Sequence, residues 1–343
     1  MTSTSAQPAE LVRQTSTPSR GARDDFAVII PAFDEAENVP ALFAALRETY
    51  ERHGLAGEII LVDDGSRDDT FAAANREAAR FPTRVQVLRH RRNLGKTEAV
   101  LTGAAAADRR FLILYDADLQ HSPDELPRFL AKLDEGWDIV TGRKVGAYEK
   151  RAVSSIYNAL SGRLFDIPVH DLNSMKAFRG EVLRAVPLRH DWHRFFVVLA
   201  HAKGYSVTEI DIALHPRRAG RSKYDGRARI LGSIMDLLVV WFYLRFSAKP
   251  MHLFGGAGAA LIVLGVLIGL VASVARFLTL PPPAFGYRPV LGLVLLLVIV
   301  GVTLFGIGLL AEMIAIVRAE VEAVREEGGG RREDGGQERT ARH

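Results

Sequence analysis

Phe111-Leu-Ile-Leu-Tyr-Asp-Ala-Asp-Leu-Gln-His121 is the stretch of this 343-residue chain that decides its fold. Its first half is a short continuous apolar run, which is typical of a strand that is buried on both faces. Its second half places Asp116 and Asp118 two positions apart, where that strand ends. Because alternate residues of an extended chain point the same way, the two carboxylates can face one point in space.

Two carboxylates at this spacing repel each other unless a cation lies between them. In an open α/β sheet, ligands bind just beyond the carboxyl ends of the strands. The pair therefore predicts a divalent metal that holds the phosphates of a nucleotide. The alternative is a solvated acidic turn or a helix cap, because Ser122 and Asp124 also suit the start of a helix.

Apolar runs and helical patterns alternate in the sequence before this stretch. Strands are expected at Phe26–Pro31, Glu58–Val62 and Val85–Leu88. Helices are expected at Val39–Arg52 and Thr70–Phe81, where apolar residues recur at helical spacing. This alternation predicts an α/β fold with a parallel sheet and right-handed crossovers.

The pattern after the central stretch is less regular. It predicts helices at Pro123–Glu135 and Arg151–Phe165, and strands at Asp138–Thr141, Leu172–Arg179 and Val207–Leu214. Apolar and polar residues alternate in the last of these strands, as they do in a half-buried edge strand.

Two basic segments could contact phosphate. Gly95-Lys-Thr97 resembles the end of a P-loop, but His90 stands where that motif requires a glycine, so a P-loop is excluded. Lys96 is then either a residue of the first helical turn or a phosphate contact. The segment from His215 to Tyr224 is either a solvated surface loop or an anion-binding loop.

Composition excludes several classes of function. The chain has no cysteine, which excludes disulfides and cysteine-based zinc sites. Its net charge is +4 and its basic residues form no stripe with aromatics between them, so no nucleic-acid partner is predicted. His190 and His193 lie three positions apart without further ligands, which is more typical of structural residues than of a metal site. Residues Met1–Asp25 are predicted to be a disordered tail without a secretory signal.

Most of the apolar excess lies after Leu231. Leu253–Ala275 and Val290–Ala311 are uncharged and long enough to cross a bilayer. By the positive-inside rule, the basic residues at the two outer ends predict that both ends are cytoplasmic; these residues are Arg245, Lys249, Arg318 and Arg325.

A third apolar helix is predicted at Ile230–Phe246. Asp236 and Arg245 argue against a full bilayer crossing. We expect an amphipathic helix at the membrane interface, with Trp241 and Tyr243 at the level of the headgroups. The alternative is a buried helix of the soluble domain.

Taken together, these motifs resemble the family 2 glycosyltransferases of the GT-A fold, specifically the polyprenyl-phosphate and dolichyl-phosphate glycosyltransferases, a group that includes the mannosyltransferases. The likeness runs in order from about Phe26 to the second membrane segment. The matching stretches are Val28–Asn38, Leu61–Ser66, Asn93–Lys96, Asp116–His121, Asp171–Phe178 and Arg217–Lys223.

The resemblance implies a binding role for each matching residue. Pro31, Phe33 and Glu35 would cradle the nucleotide, and Phe33 replaces the more usual tyrosine, so that ring packing survives without the hydroxyl. Asp63 matches the carboxylate that reads the base or the ribose.

The resemblance also implies how the diphosphate is held. The metal, Mg²⁺ or Mn²⁺, and the donor diphosphate would be held by Asp116, Asp118 and Gln120. The loop that closes over the diphosphate would contribute Arg217, Ser222 and Lys223. The candidate catalytic residues are therefore Asp118, Arg217 and Lys223.

The acceptor can be inferred from a missing base. Relatives that act on a sugar hydroxyl carry a Glu-Asp pair to remove its proton, whereas the corresponding region here is Asp191-Trp-His-Arg-Phe-Phe196. A lipid phosphate, with a second pKa of about 6, is already ionised near neutral pH. The acceptor is therefore predicted to be a polyprenyl phosphate, and the resemblance implies that Arg143, Arg151 and Ser155 hold its phosphate.

The predicted reaction is an inverting, metal-dependent transfer of a hexose-type sugar from a donor of the GDP-mannose or UDP-glucose type, at the cytoplasmic face of the cell membrane. A glycolipid or protein hydroxyl acceptor, and a non-catalytic nucleotide-sugar-sensing membrane protein, are the alternatives; self-association into a homo-oligomer is left open. The predicted organisation is a disordered tail (1–25), a GT-A catalytic domain (26–226), a juxtamembrane amphipathic helix (227–250), a two-helix transmembrane hairpin (251–318) and a disordered charged tail (319–343).

Overall fold

The computed structural model describes residues 12–13, 22–145, 165, 167, 169–172, 174–186, 188–190, 192–216, 226–247, 249–278 and 288–340, with the backbone alone at 12–13, 226–234 and 322–340. The chain forms two compact units, residues 1–237 and 238–343.

A mixed β-sheet organises the first unit. Its strands within the described residues are β1 (Val12–Arg13), β2 (Phe26–Ala32), β3 (Glu58–Asp63), β4 (Val85–Arg89), β5 (Phe111–Leu114), β6 (Ile139–Val145), β7 (Lys176–Arg179) and β8 (Val207–Ala213). Their order in the sheet is β1-β4-β3-β2-β5-β7-β6-β8.

Helices connect these strands. They are α1 (Val39–His53), α2 (Thr70–Ala78), α3 (Lys96–Ala106), α4 (Leu126–Asp134), α5 (Gly180–Ala185) and α6 (Phe196–Ala202). Two 3-10 helices, Pro123–Glu125 and Trp192–Phe195, precede α4 and α6. The predicted α/β class is confirmed. The helix predicted at Arg151–Phe165 lies outside the described residues, apart from Phe165 itself.

The half of the sheet that contains β2, β3, β4 and β5 is parallel, as the sequence predicted. β2 pairs in parallel with both β3 and β5, and β3 pairs in parallel with β4. Every residue of β3 and β5 is buried, because helices cover both faces of a parallel sheet. Their carboxyl ends therefore meet at one edge of the sheet, which we call the carboxyl edge.

The strand β7, for which the sequence predicted no direction, makes the sheet mixed. This strand runs antiparallel to both β5 and β6, and Lys176 lies beside Leu114 and Thr141. Because β6 ends at the carboxyl edge and β7 begins there, the chain does not have to cross back to the other edge between them. The first residue of β7, and not its last, therefore lies at the carboxyl edge.

Apolar side chains of α1 and α2 fill the core on one face of the sheet. Phe43 and Tyr50 from α1 pack edge-on against Phe81, with ring centroids 5.8 and 5.3 Å apart. Phe26 from β2 lies 6.0 Å from Tyr50. Burial of these rings fixes α1 on the sheet, so that the loop after β2 has a rigid base.

The second unit contains two long helices, α8 (Pro250–Leu278) and α9 (Arg288–Thr340); the boundary between the units falls within helix α7 (Gly226–Phe246). Pro250–Leu278 and the Arg288–Val321 part of α9 have the length and apolar composition to cross a membrane, with mean hydropathies of 2.6 and 3.0 over 18 residues. A Cβ atom on Gly258 would lie 2.5 Å from the carbonyl oxygen of Gly301, so the two helices approach closely where both residues are small.

A carboxylate of α9 joins the two helices near the start of α8. Glu312 from α9 accepts a hydrogen bond of 3.1 Å from the backbone N–H of Met251 in the first turn of α8. A carboxylate there satisfies one of the unpaired N–H groups of a helix start. The start of α8 and this part of α9 are therefore on the same side of the hairpin.

The structure adds elements to the predicted tails. β1 pairs with β4 within the tail predicted at 1–25, and α9 continues to Thr340 through the tail predicted at 319–343. The segment after Arg318 contains six glutamates and five arginines, which are good helix formers, although it also contains five glycines, which are poor ones.

The turn after β3 gives a testable consequence of backbone geometry. Gly65 has φ +71°, and a Cβ atom there would lie 2.4 Å from the backbone carbon of Arg92. Gly54 also has a positive φ, +60°, but has nothing within 4 Å. Gly54→Ala should cost about 1–2 kcal/mol through backbone strain alone. Gly65→Ala should cost about 1–3 kcal/mol more because it also clashes. Free energies of unfolding from chemical denaturation would measure both, and equal losses would contradict this description of the turn.

Candidate functional site

Loops that follow β2 and β3 lie side by side at the carboxyl edge. The backbone N–H of Asp34 donates to Ser66 Oγ (2.9 Å), and that of Glu35 donates to Thr70 Oγ1 (2.8 Å). Asp34 has φ +52°, and Leu119, after β5, has φ +56°. These are the non-glycine residues with positive φ within the described part of the chain, and such strain is concentrated at functional sites.

Of the predicted nucleotide contacts, Pro31, Phe33 and Glu35 lie at the end of β2 and in this loop. Asp63, at the end of β3, is fully buried. Its Oδ1 accepts a hydrogen bond of 2.9 Å from the N–H of Ser66, and its Oδ2 lies 3.2 Å from Arg89 Nε in an ion pair that leaves this oxygen without a hydrogen bond. The free lone pairs of Oδ2 are compatible with the predicted contact to a base or ribose.

Asp64 has a different function, which the sequence analysis did not assign. Its carboxylate accepts hydrogen bonds of 2.8 Å from the N–H groups of Leu94 and Gly95, and His90 Nδ1 lies 2.8 Å from its Oδ1. Asp64 therefore anchors the loop that precedes α3, and this loop places Lys96. The signal in the sequence is the second aspartate of Asp63-Asp64-Gly65.

Lys96 and Asp116 form an ion pair at the end of β5, with Nζ 2.5 Å from Oδ1. Burial raises the pKa of Asp116, but the charge and hydrogen bond of Lys96, with smaller effects from His121 and Lys176, hold this pKa well below its usual value. Asp116 is therefore an anion throughout the physiological range. The two explanations left open for Lys96 are resolved in part: it lies at the first turn of α3 and contacts a predicted metal ligand.

Asp118 and Gln120 continue the turn after β5. Asp118 is 9% exposed, and its Oδ1 accepts a hydrogen bond of 3.2 Å from the N–H of Gln120. The carbonyl of Gln120 accepts a hydrogen bond of 2.8 Å from the N–H of His215, where the basic loop begins. This hydrogen bond joins the start of the basic loop to the turn that contains Asp116, Asp118 and Gln120, which we call the aspartate turn. Arg217, Ser222 and Lys223 themselves lie outside the described residues.

Lys176 is a buried cation that the sequence analysis did not single out. Its Nζ donates hydrogen bonds of 3.1 Å to the carbonyls of Leu172 and Ser174, which fixes the loop before β7. Burial, together with the nearby cation Lys96, lowers its pKa to about 8, against the opposing effect of Asp116. Its only signal in the sequence was its place in the Asp171–Phe178 motif.

Two histidines, His193 and His121, lie near these charged residues. Burial lowers the pKa of His193 well below its usual value, and its Nδ1 lies 3.0 Å from Thr97 Oγ1. Burial also lowers the pKa of His121, although the nearby Asp116 acts in the opposite direction. We therefore expect both imidazoles to be neutral near pH 7. Hydrogen bonding to Thr97 agrees with the structural function predicted for His193.

Arg143 and Lys144 are neighbours on β6, so their side chains point to opposite faces of the sheet. Arg143 forms a bidentate ion pair with Asp211 on the adjacent strand β8, at 2.6 and 2.9 Å, and both side chains are largely exposed. Lys144 Nζ lies 3.4 Å from Asp171 Oδ2, and the charge of Lys144 acts on His121 beside the aspartate turn. Of the two, Lys144 interacts electrostatically with His121 beside Asp116 and Asp118, whereas Arg143 is paired with Asp211.

The residues at the aspartate turn fit a hard divalent cation. Asp116 and Asp118 offer carboxylate oxygens at a strand end, and Mg²⁺ is commonly held by one or two carboxylates together with substrate phosphates. Within the described residues, no group of three or more histidine, aspartate or glutamate side chains could hold a metal alone. The remaining ligands would therefore have to come from the donor diphosphate, the side chain of Gln120 and water.

Comparison with known proteins identifies the family of this sequence. A family model described as Glycosyl transferase family 2 matches residues 27–184. Dodecaprenyl-phosphate galacturonate synthase of Rhizobium johnstonii is 31% identical over 317 residues, which cover 89% of this chain and 93% of the relative. Undecaprenyl-phosphate 4-deoxy-4-formamido-L-arabinose transferase of Shewanella sediminis is 28% identical and covers 88% of this chain and 90% of the relative.

The solved structures agree with the fold. A crystal structure of glucosyl-3-phosphoglycerate synthase from Mycobacterium tuberculosis, in complex with Mn²⁺, UDP and glucosyl-3-phosphoglycerate, superposes with a TM-score of 0.50. The match has 18% sequence identity and covers 64% of this chain and 80% of that one. At this identity the similarity shows the fold alone, and it confirms a GT-A-like mixed sheet with helices.

Asp64 allows a test of how the loop before α3 is held. In Asp64→Asn, an NH₂ group replaces one oxygen, so at least one of the three donors around this side chain loses its acceptor. Leaving a buried donor unpaired should cost about 1–3 kcal/mol. Chemical denaturation would measure the loss, and Asp24→Asn, which removes the same charge from an exposed position, is the control. If both variants are equally stable, Asp64 does not anchor the loop.

Proposed function

This chain belongs to glycosyl transferase family 2, and on that basis we propose that it transfers a sugar from a nucleotide diphosphate sugar to a polyprenyl phosphate. The observation that carries the proposal is the match to dodecaprenyl-phosphate galacturonate synthase, which extends over 89% of this chain and therefore continues beyond the first unit into the unit that contains the two apolar helices. A relative that acts on a water-soluble acceptor has no evident use for such helices, whereas a polyprenyl phosphate resides in the bilayer.

The donor would be bound at the carboxyl edge. Pro31, Phe33, Glu35 and Asp63 would contact the nucleoside, as the sequence analysis predicted. Asp116, Asp118 and Gln120 would hold Mg²⁺ or Mn²⁺, which when bound would neutralise charge on the diphosphate.

Departure of the nucleoside diphosphate leaves negative charge that must be stabilised. Arg217, Ser222 and Lys223 are proposed to bind that charge, because the hydrogen bond between His215 and Gln120 ties the start of their loop to the aspartate turn. Lys96 is a further cation at this turn.

The acceptor would need no general base. A phosphate oxygen of the lipid attacks the anomeric carbon, the new carbon–oxygen bond forms, and the bond to the nucleoside diphosphate breaks with inversion of configuration. No proton has to be removed, since the phosphate monoester is already ionised near neutral pH.

Lys144 is the candidate cation for the acceptor phosphate within the described residues. It pairs with Asp171 and its charge acts on His121 beside the aspartate turn, whereas Arg143 is paired with Asp211. Arg151 and Ser155 lie outside the described residues and remain candidates from the sequence. A cluster of Lys144 with Arg151 would bind a phosphate with two charge-assisted hydrogen bonds.

The sugar is the least determined part of the proposal. The sequence predicted a hexose-type donor, and the relatives are named for galacturonate and for 4-deoxy-4-formamido-L-arabinose. Uronic acids and modified pentoses are therefore candidates beside glucose and mannose. Screening the purified full chain with labelled nucleotide sugars and undecaprenyl phosphate would identify the donor, and absence of any labelled lipid would contradict the proposed function.

The proposed location is the cell membrane, with α8 and α9 as a hairpin and the first unit in the cytoplasm. The basic residues at both outer ends of the hairpin support this orientation. The hydrogen bond between Met251 and Glu312 supports a hairpin whose two ends lie on one side of the membrane.

The metal proposal predicts that charge at the aspartate turn is essential. Asp118→Asn keeps the shape of the side chain and removes one charge, so turnover should fall at least ~100-fold. Excess EDTA should abolish activity, and Mg²⁺ or Mn²⁺ should restore it. Asp108→Asn, an exposed position before β5, is the control for charge loss. Full activity of Asp118→Asn, or full activity in EDTA, would end the metal proposal.

The acceptor proposal predicts a ranking of two neighbouring residues. Lys144→Gln should raise the KM for polyprenyl phosphate roughly ten- to a hundredfold, because one charge-assisted contact is worth ~1.5–3 kcal/mol. The KM for the nucleotide sugar should change little. Arg143→Gln, the matched substitution at a neighbouring residue that is already paired with Asp211, should leave both KM values nearly unchanged. If Arg143→Gln raises the KM for polyprenyl phosphate more than Lys144→Gln does, Arg143 binds the acceptor phosphate, as the family resemblance implied.

A further inference from the structure

A second cationic site lies at the opposite end of β5. A pocket of about 220 Å³ opens beside the amino end of this strand, and its lining consists of Arg109, Arg110, Arg179, Glu181 and Arg184. These residues come from the turn before β5, the end of β7 and helix α5. The proposed glycosyl transfer uses the carboxyl edge, so these arginines have no part in it.

The fold brings these segments together through close backbone contact. The N–H of Gly180 donates a hydrogen bond of 3.0 Å to the carbonyl of Arg110. A Cβ atom on Gly180 would lie 3.2 Å from the carbonyl oxygen of Arg109 and 3.5 Å from Nη1 of Arg184. Absence of a side chain at Gly180 therefore lets α5 approach the turn and places Arg184 near Arg109.

A buried aromatic ring orients two of the guanidinium groups. Arg110 and Arg179 lie over the ring of Phe111, with Cζ 4.7 and 5.6 Å from its centroid, and Phe111 is fully buried. Stacking on an aromatic face limits the orientations that a guanidinium can adopt. Less conformational entropy is then lost when a ligand binds.

Carboxylates in and around the pocket do not balance its positive charge. Arg179 Nε lies 3.4 Å from Asp138 Oδ1, and Arg109 Nε lies 3.8 Å from Glu58 Oε2. Glu58 is shared, since Arg84 Nε is closer to it at 3.0 Å.

Two arginines of the pocket have no carboxylate partner within the described part of the chain. Among the described residues Arg110 and Arg184 form no ion pair, and Arg109 Nε is buried without a hydrogen bond. Glu181 is the one carboxylate in the lining itself. Arg110 and Arg184 are exposed, so both are accessible to an anionic ligand.

We propose that this pocket is a binding site for a phosphate or diphosphate group. Planar guanidinium groups match the geometry of phosphate oxygens and bind them in pairs of parallel hydrogen bonds. At about 220 Å³ the pocket is smaller than the roughly 300–1,000 Å³ of sites that enclose drug-sized ligands. Its size therefore suits a small anion or one headgroup. The chemical group could be a free anion or belong to a lipid.

Calorimetric titration of the full chain with inorganic diphosphate tests the site. The protein would be held in nanodiscs of neutral lipid with EDTA present, so that no metal recruits diphosphate to the aspartate turn. Arg110→Ala/Arg184→Ala should lose one saturable binding event or weaken it roughly tenfold or more, since two charge-assisted contacts are removed. The control is Arg76→Ala/Arg80→Ala, which removes the same charge from exposed positions at and just beyond the end of α2 and should bind as the unaltered chain does.

Two further arms complete the test. Arg184→Ala alone leaves the stacking on Phe111 intact and should weaken binding in the same direction, even if the double variant unfolds. Repeating the titration in nanodiscs with anionic lipid separates the two sources: weaker diphosphate binding by the unaltered chain alone would assign the pocket to a lipid headgroup, and unchanged binding to a soluble anion. No saturable binding, or titrations of Arg184→Ala that match the unaltered chain, would overturn the proposal.

Discussion

β5 is buried on both faces, and this constraint determines where the polar groups of the first unit can gather. A strand with no exposed face can carry charged residues only beyond its ends. Asp116 and Asp118 therefore emerge together past Leu114, and the parallel neighbours β2 and β3 deliver their own polar loops to the same edge. The antiparallel strand β7 contributes Lys176, because its first residue lies at that edge.

Charges of both signs are balanced at this edge. Lys96 lies against Asp116 and Lys144 against Asp171, while Lys176 is held by backbone carbonyls. Cations in such numbers beside an acidic turn suit a reaction in which both substrates carry phosphate. The charge of Asp116 is maintained by Lys96, so the turn can receive a metal without first losing a proton.

Much of this arrangement could be read from the sequence. Continuous apolar runs identified β2, β3, β4 and β5, and the acidic residues that follow them identified the edge at which a nucleotide would bind. The orientation of β7 could not be read, because the pattern of so short a strand does not indicate its direction relative to its neighbours. The partner of Arg143 could not be read either: its ion pair with Asp211 depends on the pairing of β6 with β8, which joins segments about 70 residues apart in sequence.

Partners of charged residues also escape sequence analysis. Asp63 and Asp64 are adjacent and identical in type, yet one keeps an oxygen without a hydrogen bond and the other anchors the loop that carries Lys96. The arginine pocket depends on contacts between segments about 70 residues apart in sequence, which neither composition nor spacing reveals.

The central claim is that the acceptor is a phosphate and not a hydroxyl. It is tested most directly by giving the purified full chain its nucleotide sugar together with either undecaprenyl phosphate or undecaprenol, which differ only in the phosphate group. The account predicts that labelled sugar is transferred to undecaprenyl phosphate and that none is transferred to undecaprenol. Transfer to undecaprenol at a comparable rate would contradict it, because removal of a hydroxyl proton would then require a base that this site is not expected to contain.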